Sequence, residues 1–346
     1  MTAPLGEPAI LVAGIGGASL GTEILKSLMA SGRGYRVLGC DVSPYAFGHY
    51  GGDCEKTFTL PLASFADDVL ELCATHGVGV VIPGGEAALA TLSGVSAELA
   101  RHGVHLAANH PEVVALCSDK DRMFQRLAEL GIPIPRSVVV GEGGDLSNLP
   151  YPCIIKPATG SGGSRLTYLA AGESEASAFI AHLIAEHRVP VVQEYLPLDE
   201  GEFTIGVLTL PDGAPAGSIA LRRIFDSKLS VSAETEAGLI SSGYSQGFVD
   251  DFPEVRSQAE AIAAALGSRG PFNVQGRLRD GRLLPFEINP RFSASTYLRT
   301  LCGFNEIDRY LQWVLHGARP GPVDIRPGYC LRSFTEVHVP ETELIR

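Results

Sequence analysis

The sequence predicts an α/β chain of two textures: an N-terminal doubly wound parallel-sheet domain, then an α+β half. Two observations carry this. Short apolar runs alternate with helically spaced segments over residues 9–108, the pattern of βαβ units with right-handed crossovers. Later strands come in adjacent pairs, most clearly in FNVQGRLRDGRLLPFEINP, where Asp280-Gly281 supplies hairpin chemistry. With 346 residues, 45% hydrophobic and 19% charged, the chain has room for two or three domains and a large core.

In order, AILVAG at 9–14 reads as a buried strand and 20–29 as a helix, followed by a strand at 35–41. A helix at 65–75, a strand at 78–84, a helix over 87–101 and a strand in VHLAA complete the first domain. Ser118 or Asp119 caps a helix that runs to Leu130, and Gly131 with Pro133 stops it. GIPIPRSVVV is extended, because each residue before proline is pushed out of the α region. EGGDLSNLPYP reads as a turn-rich loop. Strands follow at CIIKP and RLTYLA, a helix over 173–187, and strands at VVQEYL, EFTIGVLTL and AGSIALRRIF. A helix near 254–267, the hairpin, a helix over 296–316 and a closing strand in the tail end the chain.

The formal charge is −12 and no basic block offsets it, which disfavours nucleic acid and anionic membranes as partners. The seven cysteines are odd in number and contain no CxxC, so buried reduced thiols are expected rather than a disulfide framework or a zinc site. The start lacks a basic leader and there is no apolar run of the ~18 residues a span needs, so a cytoplasmic location is expected.

Gly14-Ile15-Gly16-Gly17 follows a strand, and Asp41 closes the next one, which imitates a dinucleotide fingerprint. The third glycine of that fingerprint would fall on Ser19, so a tight strand-to-helix turn is the better reading.

Four segments point to polyphosphate chemistry. Lys156 ends a strand just before Thr159, Gly160, Ser161, Gly162, Gly163 and Ser164; an ammonium beside a flexible loop of backbone N–H groups can hold phosphates. Glu194 and Leu196 lie at a strand end whose backbone can read adenine, and Glu202 follows at a distance that suits ribose hydroxyls. Glu287 and Asn289 share one face of a strand, with Gln275 on its partner, a hard-oxygen set suited to Mg²⁺. Arg291 continues that face and can grip a transferring phosphoryl group. Asp119-Lys120-Asp121-Arg122 opens a helix upstream.

At these residues the chain resembles the ATP-grasp superfamily, and within it the carbamoyl-phosphate-synthase-like carboxylate–amine ligases. The match runs from about residue 8 to 316 and is most specific in NVQGRLRDGRLLPFEINPRFSAST. The resemblance implies a pre-ATP-grasp domain at 1–117, a linker helix with a small lid domain at 118–190, and a C-terminal ATP-grasp domain with a closing strand at 191–346. It implies that Lys156 contacts ATP phosphates under the 159–164 loop, that Glu194 and Leu196 hold adenine, and that Glu202 binds ribose. Gln275, Glu287 and Asn289 would bind Mg²⁺ as two ions, replaceable by Mn²⁺, and Arg291 would steady an acyl phosphate. Lys120 or Arg122 would join the nucleotide site, with further cations at Arg222, Arg223 and Lys228. The implied reaction joins a small-molecule carboxylate to an amine, releasing ADP and phosphate, in a short stand-alone member that forms a homodimer. A non-catalytic nucleotide-binding regulator and an NAD-dependent oxidoreductase are the competing readings.

Overall fold

The computed structural model describes residues 7–18, 20–140, 150–159 and 166–345. The first domain runs β1 (Ala9–Ala13), α1 (Leu20–Ala30), β2 (Val37–Asp41), β3 (Lys56–Thr59), α2 (Phe65–His76), β4 (Val78–Pro83), α3 (Glu86–Gly94), α4 (Ser96–Arg101) and β5 (His105–Leu106). Its strands form one parallel sheet in the order β3-β2-β1-β4-β5. All five residues of β1 are buried, since helices cover both faces, and this is why its sequence is continuously apolar rather than alternating. The helix expected over 87–101 is two helices, which meet at Gly94-Val95, two poor helix formers in succession. β3 was not foreseen, because a short, half-exposed edge strand carries little apolar signal.

Two helices follow: α5 (Pro111–Ser118), with proline in its first turn, and α6 (Lys120–Glu129). Asp119 caps α6, its Oδ1 accepting from the Asp121 and Arg122 amides at 3.1 and 3.2 Å. Gly131 stops it at φ 70°.

A small antiparallel sheet follows, built from β6 (Ser137–Val139), β7 (Cys153–Pro157), β8 (Tyr168–Ala170) and β9 (Pro190–Glu194) in the order β6-β9-β7-β8, with α7 (Glu173–Ala185) packed on it. The rest comprises β10 (Glu202–Thr209), β11 (Pro215–Arg223), β12 (Val231–Thr235), β13 (Gly238–Ser241), β14 (Gly247–Asp250), α8 (Pro253–Ala265), β15 (Pro271–Arg279), β16 (Arg282–Asn289), α9 (Thr296–Leu301), α10 (Glu306–His316) and β17 (Gly328–Cys330). An antiparallel sheet, β16-β15-β10-β11-β14-β17, forms its frame, and β12-β13 stand as a separate hairpin. Asp280 and Gly281 both take positive φ, 53° and 69°, at the β15–β16 turn. The helix expected over 296–316 breaks at Gly303, whose φ is 94° and where a Cβ would fall 2.1 Å from the Asp324 carbonyl.

One core joins the domains. Ile24 and Leu28 of α1 pack in a cluster with Leu208, Phe304 and Tyr310 from the C-terminal half. The other face of the large sheet is covered by α8, α5 and α6 through Ile262, Cys117, Met123 and Leu127. His105 Nε2 and the Tyr310 hydroxyl, 2.8 Å apart, and Asn109, which donates to the Pro271 carbonyl at 2.7 Å, add polar ties across the same boundary. All seven cysteines are free thiols and six are buried. No helix among the described residues is long and apolar enough to cross a membrane.

Candidate active site

A cleft lies between the small sheet and the large one, enclosing about 610 Å³ of space continuous with solvent. Lys120, Lys156, Glu194, Leu196, Glu202 and Glu287 all line it, although they come from five different elements and one connecting segment. Thr159 is described and exposed; Gly160, Ser161, Gly162, Gly163 and Ser164 lie outside the described residues.

Lys156 is a buried cation of this cleft. Its ammonium donates to Gln193 Oε1 at 3.0 Å and to the Phe286 carbonyl at 3.1 Å, and lies 5.4 Å from the Phe124 ring centre. Desolvation, reinforced by the nearby Lys120 and opposed by Glu287, pulls its pKa down to about 7. The Lys120 amide donates to the Ala158 carbonyl at 3.0 Å, which fixes the start of α6 to the end of the Lys156 strand.

The opposite wall is an arginine-clamped acidic pair. Glu202 is fully buried and accepts from Arg223 at 3.1 Å and Arg277 at 2.9 Å. Arg277 also donates to the Leu196 carbonyl, and to the Leu239 carbonyl at 3.1 Å, and stacks 4.8 Å from the Tyr195 ring centre. Burial raises the Glu194 carboxyl, but hydrogen bonds from Arg136 and Arg279 outweigh this and hold it below the usual range. The Glu194 amide donates to the Arg136 carbonyl at 2.8 Å. Both carboxylates and the Leu196 carbonyl are thus already engaged. A ribose or adenine here would meet a wall fixed by Arg223 and Arg277. Arg277 is the residue that sequence reasoning missed, although its alternation with Gln275 on β15 put it within reach.

At the cleft's inner end, Gln275 and Glu287 sit opposite each other across β15 and β16, as do Asn273 and Asn289. Asn289 Nδ2 donates to Glu287 Oε1 at 3.1 Å, so the two share a face. Arg291 reaches Asn289 Oδ1 at 3.4 Å and donates through Nε to Glu86 at 3.0 Å. Glu287, Asn289 and Gln275 offer one carboxylate and two amide oxygens, a hard donor set that fits Mg²⁺ once the Asn289 amide turns its oxygen toward Glu287. Among the described residues no group of three or more His, Cys, Asp or Glu could hold a metal. Ser293 and Ser295 are buried and contact each other, and Thr296 donates to Glu306 at 2.6 Å, so this stretch builds the loop before α9. Beneath it, the fully buried Arg299 pairs with Glu306 at 3.0 Å and with Thr204 and Asn273, a support the sequence did not reveal.

The glycine turn of the first domain is closed upon itself. Gly14 has φ 103°, and a Cβ on Gly84 would fall 1.8 Å from its carbonyl. Asp41 accepts from the Ile15 amide at 2.8 Å and the Ser43 amide at 3.0 Å. The carboxylate a nicotinamide cofactor would need for its ribose is spent on the backbone.

A glycine-turn domain, a small antiparallel sheet and a large sheet ending in Glu287-Ile-Asn289-Pro-Arg291 form the arrangement that the resemblance to ATP-grasp proteins leads one to expect. Residues 189–337 match the family model described as ATP-grasp in the biosynthetic pathway with Ter operon. Over this segment the chain is similar to ATP-grasp proteins, and over most of its length to carbamoyl phosphate synthase large chains. It is 26% identical over 314 residues to the carbamoyl phosphate synthase large chain of Streptomyces avermitilis, covering 84% of this chain and 27% of that one. The chain therefore spans about a quarter of the length of the curated relatives it matches. In fold it is similar to the L-amino acid ligase from Bacillus licheniformis (TM-score 0.67, 17% identity, 90% of this chain and 75% of that one). It is likewise similar to N5-carboxyaminoimidazole synthetase from Staphylococcus aureus complexed with ADP (TM-score 0.65, 17% identity, 94% and 82%).

Proposed function

We propose that this protein is an ATP-dependent ligase that activates a small-molecule carboxylate as an acyl phosphate and transfers the acyl group to an amine, releasing ADP and phosphate. The observation that carries the reading is Lys156. A lysine ammonium buried between two sheets, near a second lysine and the metal-type carboxylate Glu287, is a site whose desolvation a polyanion would offset.

In this reading the adenosine lies along the Arg277-braced wall and the triphosphate runs toward Lys156 and Lys120. Glu287, Asn289 and Gln275 would hold Mg²⁺, which supplies charge neutralisation at the phosphates. Carboxylate oxygen attacks the γ-phosphorus, ADP leaves, and Arg291 faces the oxygens over which charge spreads. The amine then attacks the acyl carbon, expelling phosphate and losing a proton. The Ser- and Gly-rich loop at 159–164 would exclude water meanwhile. The fully engaged Asp41 supports a nucleotide site in the sheet-to-sheet cleft over a nicotinamide site at the first glycine turn.

Thermal-shift titration separates the readings. Mg-ATP should raise Tm and NADH should not; a shift with NADH alone would overturn the proposal.

A further inference from the structure

A second cavity, with about 420 Å³ of space continuous with solvent, lies between α1 and the tail after β17, and the reaction described above leaves it unused. Its charged wall is Glu23, Lys26 and Arg332; its aromatic wall is Phe47, Tyr244 and Phe334. Glu23 is buried and bracketed by two cations, Lys26 at 3.0 Å and Arg332 at 3.2 Å. Within the lining itself two cations face one carboxylate; the second carboxylate near Lys26, that of Asp53, lies outside the lining. Burial pushes the Asp53 carboxyl up, and the nearby Lys26 opposes this.

The bridge from Glu23 to Arg332 already ties the tail to the first domain. Lys26 is superfluous to that tie, and its side chain is 40% exposed. Tyr244 and Phe334 meet edge to face at 5.5 Å, and Phe334 remains half exposed, an aromatic edge held open beside a cation. The cavity also adjoins the reacting segment. Arg332 donates to the Ala294 carbonyl at 2.6 Å, three residues after Arg291, and Lys26 lies 5.6 Å from the Tyr297 ring centre.

We propose that this cavity recognises a small carboxylate-bearing molecule with an apolar or aromatic body, its carboxylate on Lys26 and Arg332 and its body against Tyr244 and Phe334. This binding chemistry does not rest on the ligase reading.

Phenylacetate, benzylamine and inorganic phosphate are the probes, titrated by calorimetry into the full chain, with Mg-ATP as a parallel arm. Phenylacetate should bind saturably, and the other two at least about tenfold more weakly. Lys26→Met and Phe334→Ala should each weaken phenylacetate by about tenfold or more, while the Mg-ATP response stays as in the wild type. No phenylacetate binding, equal binding by Lys26→Met, or benzylamine or phosphate binding as tightly would overturn the proposal. Lys26-dependent phenylacetate binding in a protein that ignores Mg-ATP would uphold the cavity and sink the ligase reading instead.

Discussion

Arg291 and Glu86, 205 residues apart in sequence, form an ion pair that crosses from the strand-end segment after β16 to the first turn of α3. The same guanidinium touches Asn289, and Asn289 touches Glu287, so the pair extends the candidate metal site into the first domain. Glu86 is half exposed, and an exposed pair contributes at most about 1 kcal/mol to stability. If Arg291 serves the transferring phosphoryl group, Arg291→Met should cut carboxylate-dependent ADP release by roughly 10²–10³-fold and leave the Mg-ATP thermal shift in place. Glu86→Gln should cost less than about tenfold. Near-normal turnover in Arg291→Met would make the arginine an interdomain tie and nothing more.

Lys156 should make nucleotide binding pH-dependent. With a pKa of about 7 in the unliganded protein, it is increasingly neutral as pH rises above that value. A polyphosphate favours the charged form, so binding above pH 7 takes up a proton. ATP affinity should then fall by up to about tenfold per pH unit over the next unit or two. Calorimetry at pH 8 in buffers of different ionisation enthalpy measures the uptake directly; buffer-independent heats would contradict it.

The same group sets a stability slope. Between pH 7 and its unfolded pKa, the unfolded chain binds more protons at Lys156 than the folded one, so this contribution rises with pH. Denaturant titrations should show wild type gaining on Lys156→Met by up to about 1.4 kcal/mol per pH unit across pH 7–9. A constant difference would mean that Lys156 is fully charged in the fold.

Glu202 is the shared partner of Arg223 and Arg277, all three buried. Removing it strands two guanidinium groups in the core. Glu202→Ala should destabilise the protein by about 3–5 kcal/mol in urea titrations. A loss within about 1 kcal/mol would show that water reaches the arginines.

Much of this was legible in sequence, for identifiable reasons. β1, β4 and the β15–β16 hairpin were readable because continuous burial and Asp280-Gly281 leave strong local marks. The common face of Glu287 and Asn289 followed from strand periodicity alone. β12, β13 and β14 went unseen because they are short, and β12 is mostly exposed. The clamp of Glu202 by Arg223 and Arg277 was equally hidden. It joins three strands, and no local pattern records which carboxylate an arginine will meet. The Arg291–Glu86 pair depends on how two domains pack, which spacing within either domain does not encode.

ADP release from Mg-ATP, with and without pooled small carboxylates and amines, in wild type and in Glu287→Ala, decides whether the cleft is a ligase site. Release should depend on the pool and be lost in the variant. Pool-dependent release that survives in Glu287→Ala would contradict the metal-site assignment. The absence of both ADP release and any Mg-ATP thermal shift would contradict the nucleotide site itself.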